Sequence, residues 1–254
     1  IMKSFREYLL VGGMPQAVNE YCLSKNFEKV DIVKRQILEL YRNDIQKHAK
    51  GSELKAQSIF DEIPTQLSKH EKKFKISSLK KEAKMRDYDD AFMWLSDSRI
   101  VNICYNTEEP NIGLKMNMTR TTLKCYMADT GLLISHAFDE KGLVSEEIYK
   151  KLLFGKLELN EGMIFENIVS QMLVATDRKL YFYSKSDNND KDSRMEIDFL
   201  ITKNKTTSRH NIQPIEVKSS KRYTFTSLEK FKKKYAEYID GCYILHTADV
   251  KIEN

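Results

Sequence analysis

Glu216 and Lys218 stand on either side of Val217 in the stretch IEVKSS, at residues 215–220. Side chains alternate between the two faces of a β-strand, so we expect these two to point the same way. A carboxylate and an ammonium group side by side are what a metal-dependent site for phosphodiester cleavage needs. The carboxylate would bind Mg²⁺, and the ammonium group would stabilise the charge that develops on the reacting phosphate.

Asp198 lies eighteen residues before Glu216, in the stretch MEIDFLI, where the same alternation places it on one face with Glu196. If the two strands are neighbours, Asp198, Glu216 and Lys218 converge at one end of a sheet. Two carboxylates and a backbone carbonyl can hold Mg²⁺ by oxygen ligands and leave positions for water and phosphate. Glu166, on a predicted helix that precedes both strands, is the candidate for a further carboxylate ligand.

The tripeptide itself carries little information, because an acidic residue two positions before a lysine occurs at six other places. These begin at Glu53, Glu71, Glu82, Asp139, Asp177 and Asp249. What distinguishes Glu216 is its setting in a predicted strand, after another strand with an acidic residue and a helix before both. Two alternatives stay open: an edge strand whose charges are solvated, or an old site that no longer binds metal.

The last third of the chain is predicted to fold in the order α-β-β-β-α-β. The segment NEGMIFENIVSQMLVA has apolar residues at helical spacing, and TSLEKFKKKYAEYI is the second predicted helix. The predicted strands are KLYFYSK, RMEIDFLIT, IQPIEVKSS and GCYILHT. This order is typical of a mixed α/β domain built in layers.

The first part of the chain is predicted to be helical. FREYLLVGGMPQAVNEY has helical spacing with a break at Gly12, Gly13 and Pro15. EKVDIVKRQILELYRNDIQKHA follows as a long helix. Its apolar stripe is predicted to comprise Val30, Val33, Ile37, Leu40 and Tyr41.

The middle of the chain is predicted to contain three helices closed by a β-hairpin. The helices are ELKAQSIFDEIPTQLSKH, ISSLKKEAKM and DYDDAFMWLSDSRIV, and the strands are VNICYNT and LKCYMADTGLL. This pattern is typical of a winged helix. The third helix begins with Asp87, Asp89 and Asp90 and lacks a set of arginine, asparagine and glutamine residues that could read bases. A packing or protein-contact module is therefore favoured over a sequence-specific DNA reader.

The segments GMIFENIV, MEIDFLI and PIEVKSS resemble the C-terminal region of a widespread family of bacterial and archaeal AAA-type ATPases. That region is a domain of uncharacterised function appended to the ATPase module. YLLVGGMPQAV resembles the family's junction after its ATPase lid, and KCYMADTGLL resembles its middle strand. The resemblance covers nearly the whole chain, with the segments in the same order. It implies a helical segment at 1–44, a winged-helix-like domain at 45–150 and a restriction-endonuclease-like α/β domain at 151–254.

By this resemblance the last domain has the fold of the PD-(D/E)xK superfamily, and the whole chain is of the α+β or mixed α/β class. Asp198 takes the first acidic position, Glu216 and Lys218 take the ExK positions, and Glu166 takes the helix carboxylate. The resemblance thus implies catalytic roles for Asp198, Glu216 and Lys218, and Mg²⁺ ligation by Asp198, Glu216 and Glu166. The sequence EID stands where the superfamily's proline-aspartate would be.

Three functions are compatible with these residues. The first is the effector region of a AAA-type ATPase with a Mg²⁺-dependent nuclease site. The second is a non-catalytic module, regulated by the ATPase, that binds DNA, RNA or protein; Lys232, Lys233 and Lys234 are its candidate nucleic-acid contacts. The third is a structural lid or oligomerisation domain. No G-x-x-x-x-G-K-[ST] motif occurs, so ATP would bind only to a partner ATPase domain upstream of Ile1.

Composition narrows the class of protein. The 254 residues carry a net charge of +5, which is too modest to establish nucleic-acid binding by itself. The four cysteines form no CxxC pair, which favours reduced thiols over disulfides or a zinc site. No apolar run approaches the roughly 20 residues of a membrane span. The first residues, IMKSFREYLL, lack the apolar h-region and the small-residue cleavage site of a signal peptide. We expect a cytoplasmic fragment of a longer protein, without membrane association, for which a homo-oligomer is a further partner to consider.

Overall fold

The computed structural model describes residues 2–138, 144–153, 161–185, 194–203, 208–219 and 223–247. The helices in these ranges are α1 (Met2–Val11), α2 (Pro15–Ser24), α3 (Phe27–His48), α4 (Glu53–Ser68), α5 (Asp89–Asp97), α6 (Thr130–Ala137), α7 (Glu146–Leu153), α8 (Glu161–Ala175) and α9 (Thr226–Lys234). The strands are β1 (Val101–Thr107), β2 (Met118–Met127), β3 (Leu180–Lys185), β4 (Met195–Thr202), β5 (Ile212–Lys218) and β6 (Tyr243–His246). Ser220, which ends the IEVKSS stretch, lies outside the described residues, as do the tripeptides at Asp139 and Asp249.

The six strands form one mixed sheet in the order β2-β1-β3-β4-β5-β6. β3 pairs in parallel with β1, and β4 pairs antiparallel with both β3 and β5. β6 pairs in parallel with β5. The mixed α+β class is confirmed, and so is the predicted order α-β-β-β-α-β from α8 to β6.

The chain divides into two compact units. The first contains Ile1–Ile103 and Lys124–Met172, and the second contains Cys104–Leu123 and Leu173–Asn254. The division into a helical segment, a winged-helix-like domain and an endonuclease-like domain stays a prediction. Within the described residues, every helix is too short or too polar to cross a membrane.

The core of the second unit lies between the sheet and α9. Leu228 and Phe231 of α9 are buried in one apolar cluster with side chains from β3, β4 and β5. The hydroxyl groups of Tyr183 and Tyr235 are 3.0 Å apart, and the Lys234 ammonium group lies 4.8 Å from the centroid of the Tyr235 ring. Lys234 therefore belongs to the packing of α9, through a cation–π contact.

One predicted element is wrong, and another ends earlier than predicted. ISSLKKEAKM forms no α-helix; its residues include the 3₁₀ turn Ile76–Ser78 and the start of the turn Met85–Tyr88. The physical reason is that only Ile76 and Tyr88 are buried in these two turns, which is too little apolar surface for a helical stripe. The predicted strand LKCYMADTGLL ends at Met127, because Asp129 begins α6 as its N-cap. The middle of the chain thus lacks the second helix of the expected winged helix.

The buried face of the long helix α3 includes Val30 and Ile37 of the predicted stripe but not Leu40. Leu40 is 57% exposed, whereas Leu38 is fully buried. Asp31 and Lys34 lie on the same buried face as Val30 and Leu38. Two charged residues are therefore part of the core of the first unit.

A close contact between two chain segments joins α1, α2 and α6 in the first unit. The Gly13 N–H donates to Asp129 Oδ2 at 2.6 Å. Gly12 has φ +83°, and a Cβ atom there would lie 2.3 Å from Asp129 Oδ1. A Cβ atom on Gly131 would lie 2.5 Å from the Val11 carbonyl oxygen. The segments VGGMP and ADTGLL therefore form one structural joint, which we call the glycine–Asp129 joint.

Replacement of Gly12 by alanine should destabilise the chain by about 2–4 kcal/mol, because the methyl group overlaps the Asp129 carboxylate and the left-handed φ is unfavourable for alanine. Gly51 provides a matched control, since it has φ +82° and a Cβ atom added there would have no other atom within 4 Å. Gly51→Ala should cost only about 1 kcal/mol. Urea unfolding followed by circular dichroism measures both, and equal losses would contradict the role of the joint.

Candidate functional site

Asp198, Glu216 and Lys218 lie on adjacent strands of the second unit. β4 and β5 are antiparallel neighbours, and the Phe199–Ile215 pair is the last one before Asp198 and Glu216. Asp198 Oδ2 accepts a hydrogen bond from the Val217 N–H at 2.9 Å. The carboxylate of Asp198 thus reaches the backbone between Glu216 and Lys218.

A β-bulge sets the position of Asp198. Between Ile197 and Leu200, two residues of β4, Asp198 and Phe199, stand opposite the single residue Phe182 of β3. Ile197 and Leu200 contribute to the same apolar cluster although they are three residues apart, as an extra residue in the strand requires. Bulges re-aim side chains and are frequent beside active sites. Simple alternation of side chains does not reveal this bulge.

Glu216 and Lys218 form an ion pair, which agrees with the prediction that they point the same way. Lys218 Nζ lies 2.5 Å from Glu216 Oε2. The Glu216 side chain is 5% exposed and that of Lys218 is 26% exposed. The carboxylate is therefore buried beside its cation, and the cation reaches solvent. A buried carboxylate requires such a partner, and a metal ion could serve in the same role.

Asp198 and Glu216 supply carboxylate oxygens, the type of ligand that Mg²⁺ takes in proteins. Two carboxylates on neighbouring strands and the nearby backbone carbonyls are hard oxygen ligands. No group of three or more His, Cys, Asp and Glu side chains placed to hold a metal occurs in the described ranges. Mg²⁺ commonly binds through one or two carboxylates and keeps several waters, so Asp198 and Glu216 would be sufficient protein ligands.

Glu166 lies in the first unit, buried among cations. Its Oε1 accepts a hydrogen bond from the Lys72 ammonium group, and its Oε2 accepts one from the Tyr126 hydroxyl at 3.0 Å. Lys124 Nζ lies 3.7 Å from the same Oε2. Two ammonium groups thus compensate this carboxylate within its own unit, which favours a structural role. Ligation of Mg²⁺ by Glu166 stays a prediction.

Two family models match the chain. Domain of unknown function (DUF8612) matches residues 2–141, which is more than half of the chain. The chain belongs to the DUF8612 family. Domain of unknown function (DUF4143) matches residues 161–253. No curated protein and no solved structure matches.

The ranges of the two family models contain different features of the structure. The glycine–Asp129 joint lies in the DUF8612 range. Asp198, Glu216 and Lys218 lie in the DUF4143 range, together with Glu166. A domain of unknown function thus matches the last third of the chain.

Sequence reasoning missed a second cluster of ionisable residues, inside the first unit. Lys34 is fully buried, and its Nζ donates to the Leu10 carbonyl at 2.7 Å, the Gly131 carbonyl at 3.2 Å and the Tyr149 hydroxyl at 3.0 Å. Burial lowers the pKa of Lys34 to about 8, although the charge of Asp31 opposes this shift. The sequence feature that could have revealed this cluster is the pair of charged residues, Asp31 and Lys34, among the apolar positions of α3.

Asp31 completes this cluster and is also fully buried. It accepts hydrogen bonds from Arg35 Nε at 2.8 Å, Ser135 Oγ at 2.6 Å, the Val144 N–H at 3.1 Å and the Tyr149 hydroxyl at 2.8 Å. Burial alone would raise the pKa of Asp31, but these four donors hold it below its ordinary value. Fully buried groups are out of the reach of a substrate, so we assign this cluster to the packing of the first unit, where it fixes which segments lie together.

Glu166→Gln should lower the free energy of unfolding by about 3 kcal/mol, because it leaves the Lys72 and Lys124 ammonium groups without the carboxylate charge. Glu161 provides a control on the same helix. Its carboxylate lies 3.8 Å from the Arg6 guanidinium group and is 36% exposed. Glu161→Gln should change stability by less than about 1 kcal/mol. Urea unfolding measures both; an unchanged stability of Glu166→Gln would contradict the structural role.

Lys34 should make stability rise with pH in the alkaline range. The folded chain releases the Lys34 proton near pH 8, and the unfolded chain keeps it until about pH 10.5. The unfolded state therefore binds more protons between these values, and stability should rise there by about 3 kcal/mol. Lys34→Met should remove this rise, whereas Lys47→Met, at an exposed position of the same helix, should retain it. If the free energies of unfolding of the wild type and of Lys34→Met changed with pH in the same way, the assignment of this pH dependence to Lys34 would be contradicted.

Proposed function

We propose that the chain is the effector region of a AAA-type ATPase, with a Mg²⁺-dependent phosphodiesterase site for nucleic acid at Asp198, Glu216 and Lys218. The observation that supports this proposal is the convergence of the three residues on β4 and β5. Asp198 contacts the Val217 backbone, and Lys218 contacts Glu216. The partner would be an ATPase domain that precedes this chain, and ATP would bind there.

The pairing of the strands supports a restriction-endonuclease-like fold for the last third. β3, β4 and β5 are successive antiparallel neighbours, and α9 connects β5 to the parallel strand β6. This arrangement brings the acidic residue of β4 beside the ExK residues of β5. The same positions are those that the resemblance to the PD-(D/E)xK superfamily assigns to the active site.

Each of the three side chains has a definite task in this proposal. Asp198 and Glu216 would hold Mg²⁺, which when bound lowers the pKa of a coordinated water and neutralises phosphate charge. The Lys218 ammonium group reaches solvent beside Glu216, where it can orient the attacking water or stabilise charge on the phosphate. The hydrogen bond from Val217 to Asp198 fixes β4 against β5 and so fixes the spacing of the two carboxylates.

A non-catalytic binding module is the second candidate. The ion pair between Glu216 and Lys218 compensates the buried carboxylate without any metal, so the two strands can keep their arrangement in a protein that does not cleave. In this case the middle of the chain would serve protein contacts. Binding of nucleic acid or of the ATPase would then be its activity.

Lys218→Ala should reduce cleavage of labelled single-stranded or duplex nucleic acid by about 100-fold or more in Mg²⁺ or Mn²⁺, because it removes a cation that stabilises the transition state. Asp198→Asn should reduce cleavage as strongly and also weaken Mn²⁺ binding, measured by calorimetry. Lys55→Ala, in the tripeptide that begins at Glu53, is the matched control and should leave cleavage unchanged. Circular dichroism establishes that each variant is folded.

The outcomes separate the two candidate functions. Metal-dependent cleavage that survives in Lys218→Ala and Asp198→Asn would contradict the assignment of the site to these residues. A wild-type chain that binds nucleic acid but neither binds Mn²⁺ nor cleaves would contradict the phosphodiesterase and support the binding module.

A further inference from the structure

An open groove of about 640 Å³ lies in the second unit, apart from the proposed phosphodiesterase site. Three segments form it: residues 112–115 before β2, residues 176–179 between α8 and β3, and residues 201–203 at the end of β4. None of Asp198, Glu216 and Lys218 lines this groove. Its volume is in the range of sites that bind ligands.

The groove is positively charged. Lys115, Arg178, Lys179 and Lys203 line it, and Asp177 is the one carboxylate residue among its described lining residues. Lys203 also pairs with the Asp240 carboxylate. The four cationic side chains of the groove therefore outnumber the two carboxylates near them, those of Asp177 and Asp240. The excess is spread over three separate segments, so a long anion can contact several of them at once.

The backbone around Arg178 holds this cation in a defined place. Asp177 has a left-handed φ of 59°. The Arg178 N–H donates to the Leu173 carbonyl at 3.1 Å, as at a helix end of the Schellman type. The Arg178 side chain donates through Nη1 to the Thr202 carbonyl at 2.7 Å, which links the loop to the end of β4.

The cations of the groove differ in their surroundings. The Thr202 carbonyl accepts a hydrogen bond from Arg178 Nη1 and so offsets part of the Arg178 charge. Lys115 and Lys179 are both exposed to solvent. Lys115 and Lys179 therefore provide most of the attraction for an anion.

We propose that this groove binds the phosphate backbone of a nucleic-acid strand. Cations on three segments suit a row of phosphates, whereas one small phosphate ion would need donors that converge on one point. Basic grooves that follow a strand are the usual means of binding nucleic acid without sequence preference. This binding requires neither Mg²⁺ nor Lys218, so it stands or falls independently of the proposed cleavage.

The test is fluorescence anisotropy with a labelled single strand of about 20 nucleotides, in EDTA, with salt varied between about 50 and 200 mM. Lys115→Ala combined with Lys179→Ala should weaken binding about tenfold at the lowest salt. The slope of log K against log salt should become shallower by about 1.4, since each lost phosphate contact contributes about 0.7.

Two further double variants remove the same charge elsewhere. Lys47→Ala with Lys50→Ala affects exposed lysines at the end of α3 in the first unit, and the slope should not change. Lys232→Ala with Lys233→Ala affects exposed lysines of α9 in the second unit, and examines the other candidate surface for nucleic acid. The groove proposal expects a smaller effect from this pair than from the pair at Lys115 and Lys179.

Several results would overturn the proposal. They are an absence of binding by the wild type, an equal loss in all three double variants, or a larger loss in the α9 pair. Competition with inorganic polyphosphate shows whether the groove prefers nucleic acid. Unlabelled nucleic acid should displace the labelled strand more strongly than polyphosphate at equal phosphate concentration. Equal displacement by both would mean a general polyanion site. Because EDTA is present throughout, a chain that fails to cleave can still pass this test.

Discussion

The hydrogen bonds of the Asp129 carboxylate are the interaction on which the first unit depends. This carboxylate is 2% exposed, and burial raises its pKa above the ordinary value. It accepts N–H groups from Gly13 and from Leu132, so one side chain caps α6 and holds the turn between α1 and α2. The close approach leaves no room for a side chain at Gly12. A single carboxylate thus determines both a helix start and the residue type at a distant turn.

Buried charge is a general feature of this unit. Asp31, Lys34 and Glu166 are buried like Asp129, and each is surrounded by donors or acceptors that compensate it. Burial of ions gains little stability compared with apolar packing, but removal of one partner is costly because the other charge remains. Such clusters therefore fix which segments can pack together. In the second unit, apolar packing joins the sheet to α9.

The second unit holds both surfaces to which we assign a function. In the candidate site a buried carboxylate, Glu216, is compensated by Lys218, and a metal ion could replace that compensation. In the groove the cations exceed the carboxylates, which suits the binding of a polyanion that we propose. The two surfaces have opposite electrostatic character, which suits one to metal ligation and the other to phosphate contacts.

Much of this could be predicted from the sequence by itself. The sequence determined the order of elements from α8 to β6, and it placed Glu216 and Lys218 on the same side of a strand. Both follow from helical period and strand alternation, which depend on local backbone geometry. The tertiary structure decided that β4 lies beside β5, that a bulge re-aims Asp198, and that Glu166 is compensated by lysines. It also placed Lys34 in the core. These outcomes depend on which distant segments pack together, and local periodicity carries no information about that.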